Sequence, residues 1–360
     1  MDDLPGFNPD WISPPGETIQ DVLSERGLSC PELAGRLERT ADFVLKLICG
    51  TTPISTEIAK GLAAVLGGSS KFWERREAVY RKGLTHREEL AWLSELPLAD
   101  MTRFGWLERR DKPATQIAEC LRFFDVPNLD SWRQAYGQIL NEASFRTSLS
   151  FQSQLEAVAA WLRQGEIQAA SIPCGSWNAT LFRDTLPEIR RLTRIRKPEI
   201  FIPALTALCA GCGVAVAIVR APRGCRASGA TRFLGPTKAL MLLSFRYLSD
   251  DQLWFTVLHE AAHLLLHGQG RVFIEEGGGG SSHAEQEAND FAATVLIPEP
   301  FQADFARLAP NKKSVRAFAL AVGISPGIVV GQLQRKGRID YDALNHLKAR
   351  YEWNEGEDEA

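Results

Sequence analysis

The run from Ile200 to Val219, IFIPALTALCAGCGVAVAIV, holds twenty residues without a charge. A stretch of that length and polarity either crosses a membrane or is buried in a protein core. Its punctuation favours the core. Pro203, Gly211 and Gly213 interrupt it, β-branched residues gather after Gly213, and no aromatic belt flanks it. The expectation is a buried helix over PALTALCAGC, then a core strand over VAVAIV, and no membrane partner. Composition agrees: 45% hydrophobic and 24% charged residues in 360 are ordinary for a soluble globular chain. A formal net charge of −3 gives no global basic field to pull the chain onto nucleic acid or anionic lipid. The opening MDDLPGFNPDW lacks the apolar segment of a secretory signal. Seven scattered cysteines, an odd number, are not a disulfide framework, so a reducing, cytoplasmic setting is expected.

Four regions separate along the chain, giving an α+β fold that is mostly α. The first, residues 1–83, reads as short capped helices. ETIQDVLSERGL stops at Gly27, Ser29 caps CPELAGRL with Pro31 in its first turn, and Thr40 caps ADFVLKLICG. Ser55 caps TEIAKGLAAVL, which ends at Gly67 and Gly68. The second region, 84–165, is a helical module with apolar and aromatic residues at helical spacing, and it offers packing rather than chemistry. The third, 166–310, mixes the strands VAVAIV and KALMLLSF with a long helix from Ser249 to His267. A flexible loop, GGGGSS at 277–282, and a second helix, HAEQEANDFAATVLI, complete it. In the fourth, 311–351, two helices flank a turn at Gly323, and an acidic tail follows at 352–360.

The chemistry concentrates in FTVLHEAAHLLLH, residues 255–267. Residues four apart on a helix lie one turn apart on the same face. His259 and His263 can therefore turn ring nitrogens toward one Zn2+, with Glu260 placed beside the ion's water as a general base. A catalytic zinc needs a third protein ligand and one open position. Glu285, twenty-two residues after His263, is the first candidate. Asn289, four residues further along the same helical face, can brace the outer nitrogen of His259. Glu287 competes with Glu285, and the two point roughly 200° apart on a helix, so one of them alone can serve. His267 is expected to pack or hydrogen-bond outside the metal sphere, and His283 to be polar loop. Cys209 and Cys212 form C-x-x-C without a second pair and read as buried small side chains. The basic run EIRRLTRIRKPE, 188–199, reads as a solvated helix face.

WFTVLHEAAHLLLH, followed by EQEANDFAATVLIP, resembles the ImmA/IrrE family of metallopeptidases. GISPGIVVGQLQRKGRI and LNHLKARYEW resemble the C-terminal part of its members, so the likeness spans roughly residues 165–351. The resemblance implies a zincin-like domain with a small sheet over 166–310. It implies His259, His263 and Glu285 as zinc ligands, Glu285 being favoured over Glu287, and Glu260 as the catalytic group. It further implies a site-specific protease that cuts a repressor or antitoxin-type partner. Ala261 and Ala262 stand where a leucine–glycine pair is common, a departure that touches packing rather than ligation.

CPELAGRL and the segment from Thr40 to Trp73 are similar to the Xre-type helix-turn-helix of HigA-like antitoxins. That likeness implies a five-helix domain over 1–83, a tendency to form homodimers, and a double-stranded DNA operator as partner. Arg39, Thr40, Phe43 and Lys46 are the candidate contacts. Against DNA stands the charge of residues 1–83, ten basic against twelve acidic. A protein-docking or dimerising role is the alternative. The alternative for the whole chain is an antitoxin-like regulator whose peptidase fold senses or docks without cutting.

Overall fold

The structure is a computed structural model that describes residues 12–137, 154–268, 272–275 and 282–353. MDDLPGFNPDW, all of GGGGSS but Ser282, and the acidic NEGEDEA lie outside the described residues. The chain divides into two compact units, one ending at Ser94 and the other beginning at Glu95.

Helix ends in the first unit follow their caps. α1 (Pro15–Arg26) stops at Gly27, whose left-handed backbone turns the chain. α2 (Cys30–Arg36) opens with a complete capping box between Ser29 and Glu32. α3 (Ala41–Ile48) and α4 (Thr56–Leu66) are capped by Thr40 and Ser55, whose hydroxyls accept the Phe43 and Ile58 N–H groups. Ile19, Leu33, Val44, Leu62 and Trp73 meet in a core of their own. α5 (Ser70–Glu95) runs unbroken across the boundary expected after residue 83. Nothing in RKGLTHREEL stops it, because Gly83 keeps helical geometry and no proline follows before Pro97.

In the second unit, α6 (Leu98–Arg103), α7 (Pro113–Phe123) and α8 (Leu129–Trp132) form an aromatic cluster in which Trp106 stacks on Phe123. Long-range hydrogen bonds tie these helices to later parts of the chain. Asp100 Oδ2 accepts the Arg223 N–H at 2.6 Å, and Arg163 donates to the Phe123 carbonyl at 2.8 Å. The module expected at 84–165 therefore shares a compact unit with the segment after it from Glu95 onward.

α9 (Leu155–Ser171), α10 (Ala179–Leu192) and α11 (Pro198–Gly211) lead into a mixed four-stranded sheet. The uncharged run divides as its punctuation predicts, into α11 and β1 (Val214–Ile218), with Gly213 in the turn between them. The remaining strands are β2 (Gly229–Gly235), β3 (Lys238–Leu243) and β4 (Phe273–Glu275), in the order β1-β3-β2-β4. β1 and β3 pair in parallel, whereas β2 pairs antiparallel with both β3 and β4. Val214, Val216, Met241 and Leu243 face one core, and Leu242 lies against Gly165 of α9 on the other side. Burial on both faces explains why these strands read as continuous apolar runs.

α12 (Asp250–Leu266) crosses the first of these faces and packs against α13 (His283–Leu296). α14 (Gln302–Arg307), α15 (Lys312–Val322) and α16 (Pro326–Arg335) complete the described helices, with Gly323 turning α15 into α16. α16 lies close on the start of α12. A Cβ at Gly327 would stand 2.3 Å from Asp250 Oδ1, and one at Gly331 2.8 Å from the Asp251 Cβ. Residues 348–350 close on the same point. Lys348 Nζ lies 2.7 Å from Asp251 Oδ2, the Ala349 N–H donates to Asp250 at 3.0 Å, and Ser249 bridges to Arg350. No single helix among the described residues is long and apolar enough to cross a membrane.

Candidate metal centre

α12 is buried nearly all round, which is unusual for a helix carrying two histidines and a glutamate. Ala261 and Ala262, between the histidines, are fully enclosed, and such small side chains let neighbouring elements close on the helix. α13 lies alongside, its start set by Ser282, whose hydroxyl accepts the Glu285 N–H. Glu285 thereby enters the first turn facing α12.

His259, His263 and Glu285 converge. The two Nε2 atoms are 3.0 Å apart, and Glu285 lies 3.1 Å from His259 Nε2 and 3.4 Å from His263 Nε2. Two imidazoles and a carboxylate at these separations form a buried group able to hold a metal ion. Glu287 does not reach it. Its carboxylate turns outward to His267 and His283, 3.2 Å from each. His283 opens α13 with its side chain exposed, set against Glu287 rather than the centre. Asn289 Oδ1 lies 3.1 Å from His259 Nδ1, the outer nitrogen of that ring.

Glu260 is wholly enclosed, with the Thr231 hydroxyl beside it and no short hydrogen bond to either of its oxygens among the described residues. Buried carboxylate oxygens without short hydrogen bonds are costly. Their position beside two imidazoles suits a cation with a water attached. Burial holds the Glu260 carboxyl far above the usual range; His259 opposes this, and Glu275 and Glu285 reinforce it. For Glu285, burial is outweighed by its contacts with both histidines, which hold it well below the usual range. His263 is pushed down to about 4 by burial. Burial acts likewise on His259, but Glu285, Glu275 and Glu260 prevail and lift it to about 9.

Several parts of the site were not legible in the sequence. Glu275, at the end of β4, places its carboxylate 3.3 Å from His259 Nε2. Gly229 of β2 brings the strand against Glu260, so that a Cβ there would lie 2.4 Å from Glu260 Oε1. The signal available was the apolar Val272-Phe273-Ile274 ahead of Glu275, too short to stand out as a strand. A cleft of about 710 Å3 runs from Glu275 and Asn289 along Phe255 and Thr256 to Gln332 and Arg335.

Residues 222–330 match the Peptidase_M78 family model, an IrrE N-terminal-like domain. All three residues of the metal-holding group fall inside that span, as do Glu260, Glu275 and Asn289. The match supports a metallopeptidase-type function for this domain. No curated protein matches the chain.

The other predicted positions lie in the first unit. Arg39 is paired with Glu57 at 2.7 Å, and Lys46 with Asp42 at 2.8 Å. The Thr40 hydroxyl is engaged in the α3 cap, and Phe43 is half-buried beneath the Arg39 guanidinium, 6.0 Å from the ring centroid. Cys209 and Cys212 are buried and unbridged, with burial raising the Cys209 thiol.

Proposed function

We propose that this chain is a zinc-dependent endopeptidase acting on a specific partner protein. The observation that carries the reading is the fully enclosed carboxylate of Glu260 beside the His259–His263–Glu285 group. Two imidazoles and one carboxylate are a ligand set of catalytic zinc in peptidases, and when bound the ion would polarise a peptide carbonyl and acidify a water.

The chain's own residues supply the rest. His259, His263 and Glu285 would hold the ion. Glu260, kept out of solvent and raised in pKa, is suited to take a proton from the attacking water and pass it to the leaving amine. Asn289 holds the His259 ring in position. The cleft along α12 gives an extended substrate room beside the centre.

The first unit serves, in this reading, as a helix-turn-helix domain that brings the peptidase to its substrate, a repressor or antitoxin-type protein. Direct operator binding is the weaker role, because both candidate cations, Arg39 and Lys46, are already paired with acids. Seven free cysteines suit a reducing, cytoplasmic setting.

Glu260→Gln should keep zinc and lose cleavage by at least about a hundredfold. Proteins trapped by that variant, identified by mass spectrometry and then offered to the wild type, supply the substrate for the assay. Undiminished cleavage by the variant would overturn the reading.

A further inference from the structure

His267 stands one turn beyond His263 and outside the metal-holding group. We propose that His267 and Glu287 form a hydrogen-bonded brace behind His263 that fixes this ring as a metal ligand; the inference rests on the zinc-peptidase reading of the same centre. His263 turns Nε2 toward His259 and Glu285. Its other nitrogen, Nδ1, lies 3.0 Å from His267 Nδ1, and His267 Nε2 lies 3.2 Å from Glu287 Oε2.

With Glu287 ionised and His267 neutral, counting protons leaves one arrangement. An ionised carboxylate only accepts, so the N–H facing Glu287 belongs to His267 Nε2. A neutral imidazole carries one N–H, which leaves His267 Nδ1 as an acceptor. The proton between the two rings therefore sits on His263 Nδ1. His263 Nε2 is then a bare lone pair, aimed at the position where ligation requires it. Phe273 stacks on His263, with centroids 4.1 Å apart and an interplanar angle of 13°. Its ring also lies 5.3 Å from that of His267.

The same count excludes a second metal site at His267, Glu287 and His283. A cation on His267 Nε2 would displace the proton that Glu287 accepts. It would also leave an imidazole with no proton at all, because Nδ1 already accepts from His263. His283 instead adds a second contact to the same Glu287 oxygen, 3.2 Å away.

α13 thus serves both ligand histidines. Asn289 accepts from His259 directly, and Glu287 acts on His263 through His267. Both carboxylates of Glu285-Gln286-Glu287 are used, one inside the centre and one behind it.

The test compares zinc affinity in full-length variants by competition with a chromophoric chelator. His267→Phe fills the volume and can still stack on Phe273, but it offers no acceptor. His267→Gln offers a carbonyl oxygen to the His263 N–H. The brace predicts that Phe lowers zinc affinity by roughly 10- to 100-fold and that Gln recovers much of the loss. Glu287→Gln should give a smaller loss. Thermal midpoints of the zinc-free proteins show which variants fold. A packing role for His267 predicts the reverse order, with Phe near wild type and Gln impaired, and that result overturns the proposal. Equal affinity in all variants overturns it too. A folded wild type that takes up no zinc removes the metal reading itself, and the brace with it.

Discussion

Glu260 occupies the space where a side chain at position 229 would lie. A Cβ on Gly229 would meet Glu260 Oε1 at 2.4 Å and Thr256 Cγ2 at 2.7 Å, so β2 and α12 could not keep their present spacing. Gly229→Ala should destabilise the second unit by about 1–3 kcal/mol, measured by urea unfolding, and displace the carboxylate. Unchanged stability would show that the strand can give way. Asn289→Ala should weaken zinc binding by roughly 10- to 100-fold, while Asn289→Asp, which keeps an acceptor, should weaken it less; chelator competition reads both. At this scale the sequence disclosed what spacing along one helix encodes. His259, Glu260 and His263 lie within one turn, and Glu285 with Asn289 within another. It did not disclose Gly229 or Glu275, because their roles arise from a strand pairing, Gly229 opposite Glu275, between segments distant along the chain.

Among the elements, those with local signals were readable. Ser29, Thr40 and Ser55 begin helices where their hydroxyls accept a nearby N–H, and that information lies within four residues. β2 and β4 carried no comparable mark: GATRFLG has a glycine at each end and an arginine within, and FIE is three residues long. α5 shows the opposite limit, since a glycine without a proline or a cap was too weak to end it. The junction of α12 and α16 gives two predictions. Ala at Gly327 or Gly331 should cost about 1–3 kcal/mol each, read by urea unfolding, since the new Cβ meets Asp250 or Asp251. Burial, against the opposing hydrogen bond from Ser325, lifts the Asp250 carboxyl to about 6. An acid raised on folding favours the native state below the ordinary carboxylate range, and that advantage fades as pH rises through about 6. Asp250→Asn keeps the shape without the titration. The wild type should therefore lose stability relative to Asp250→Asn between about pH 4 and pH 7, by on the order of 2–3 kcal/mol at most. A pH-independent difference in thermal midpoint would refute this.

For the whole molecule, the division at Ser94 separates the metal-holding group from the first helical unit. Every residue within hydrogen-bonding reach of His259 or His263 belongs to the second unit, among the described residues. A chain beginning at Glu95 should thus bind zinc with the affinity of the full chain, by the same competition measurement. A large loss would mean that the first unit supports the centre. The mostly helical α+β class followed from composition and periodicity, whereas the single compact unit from Glu95 onward could not, because Arg163 to Phe123 and Arg223 to Asp100 are long-range bonds.

The contacts at the start of α12 also bear on the order in which the chain is made. Asp250 and Ala349 are 99 residues apart in sequence, yet they are hydrogen-bonded. During synthesis His259, His263 and Glu285 all emerge before Lys348, Ala349 and Arg350. A chain interrupted after Leu347 would carry every group of the metal centre, but the start of α12 would lack its contacts with these three residues. Residues made more than sixty positions after Glu285 are among those that set the helix in place, and assembly of the site is thereby tied to synthesis of the chain through Arg350.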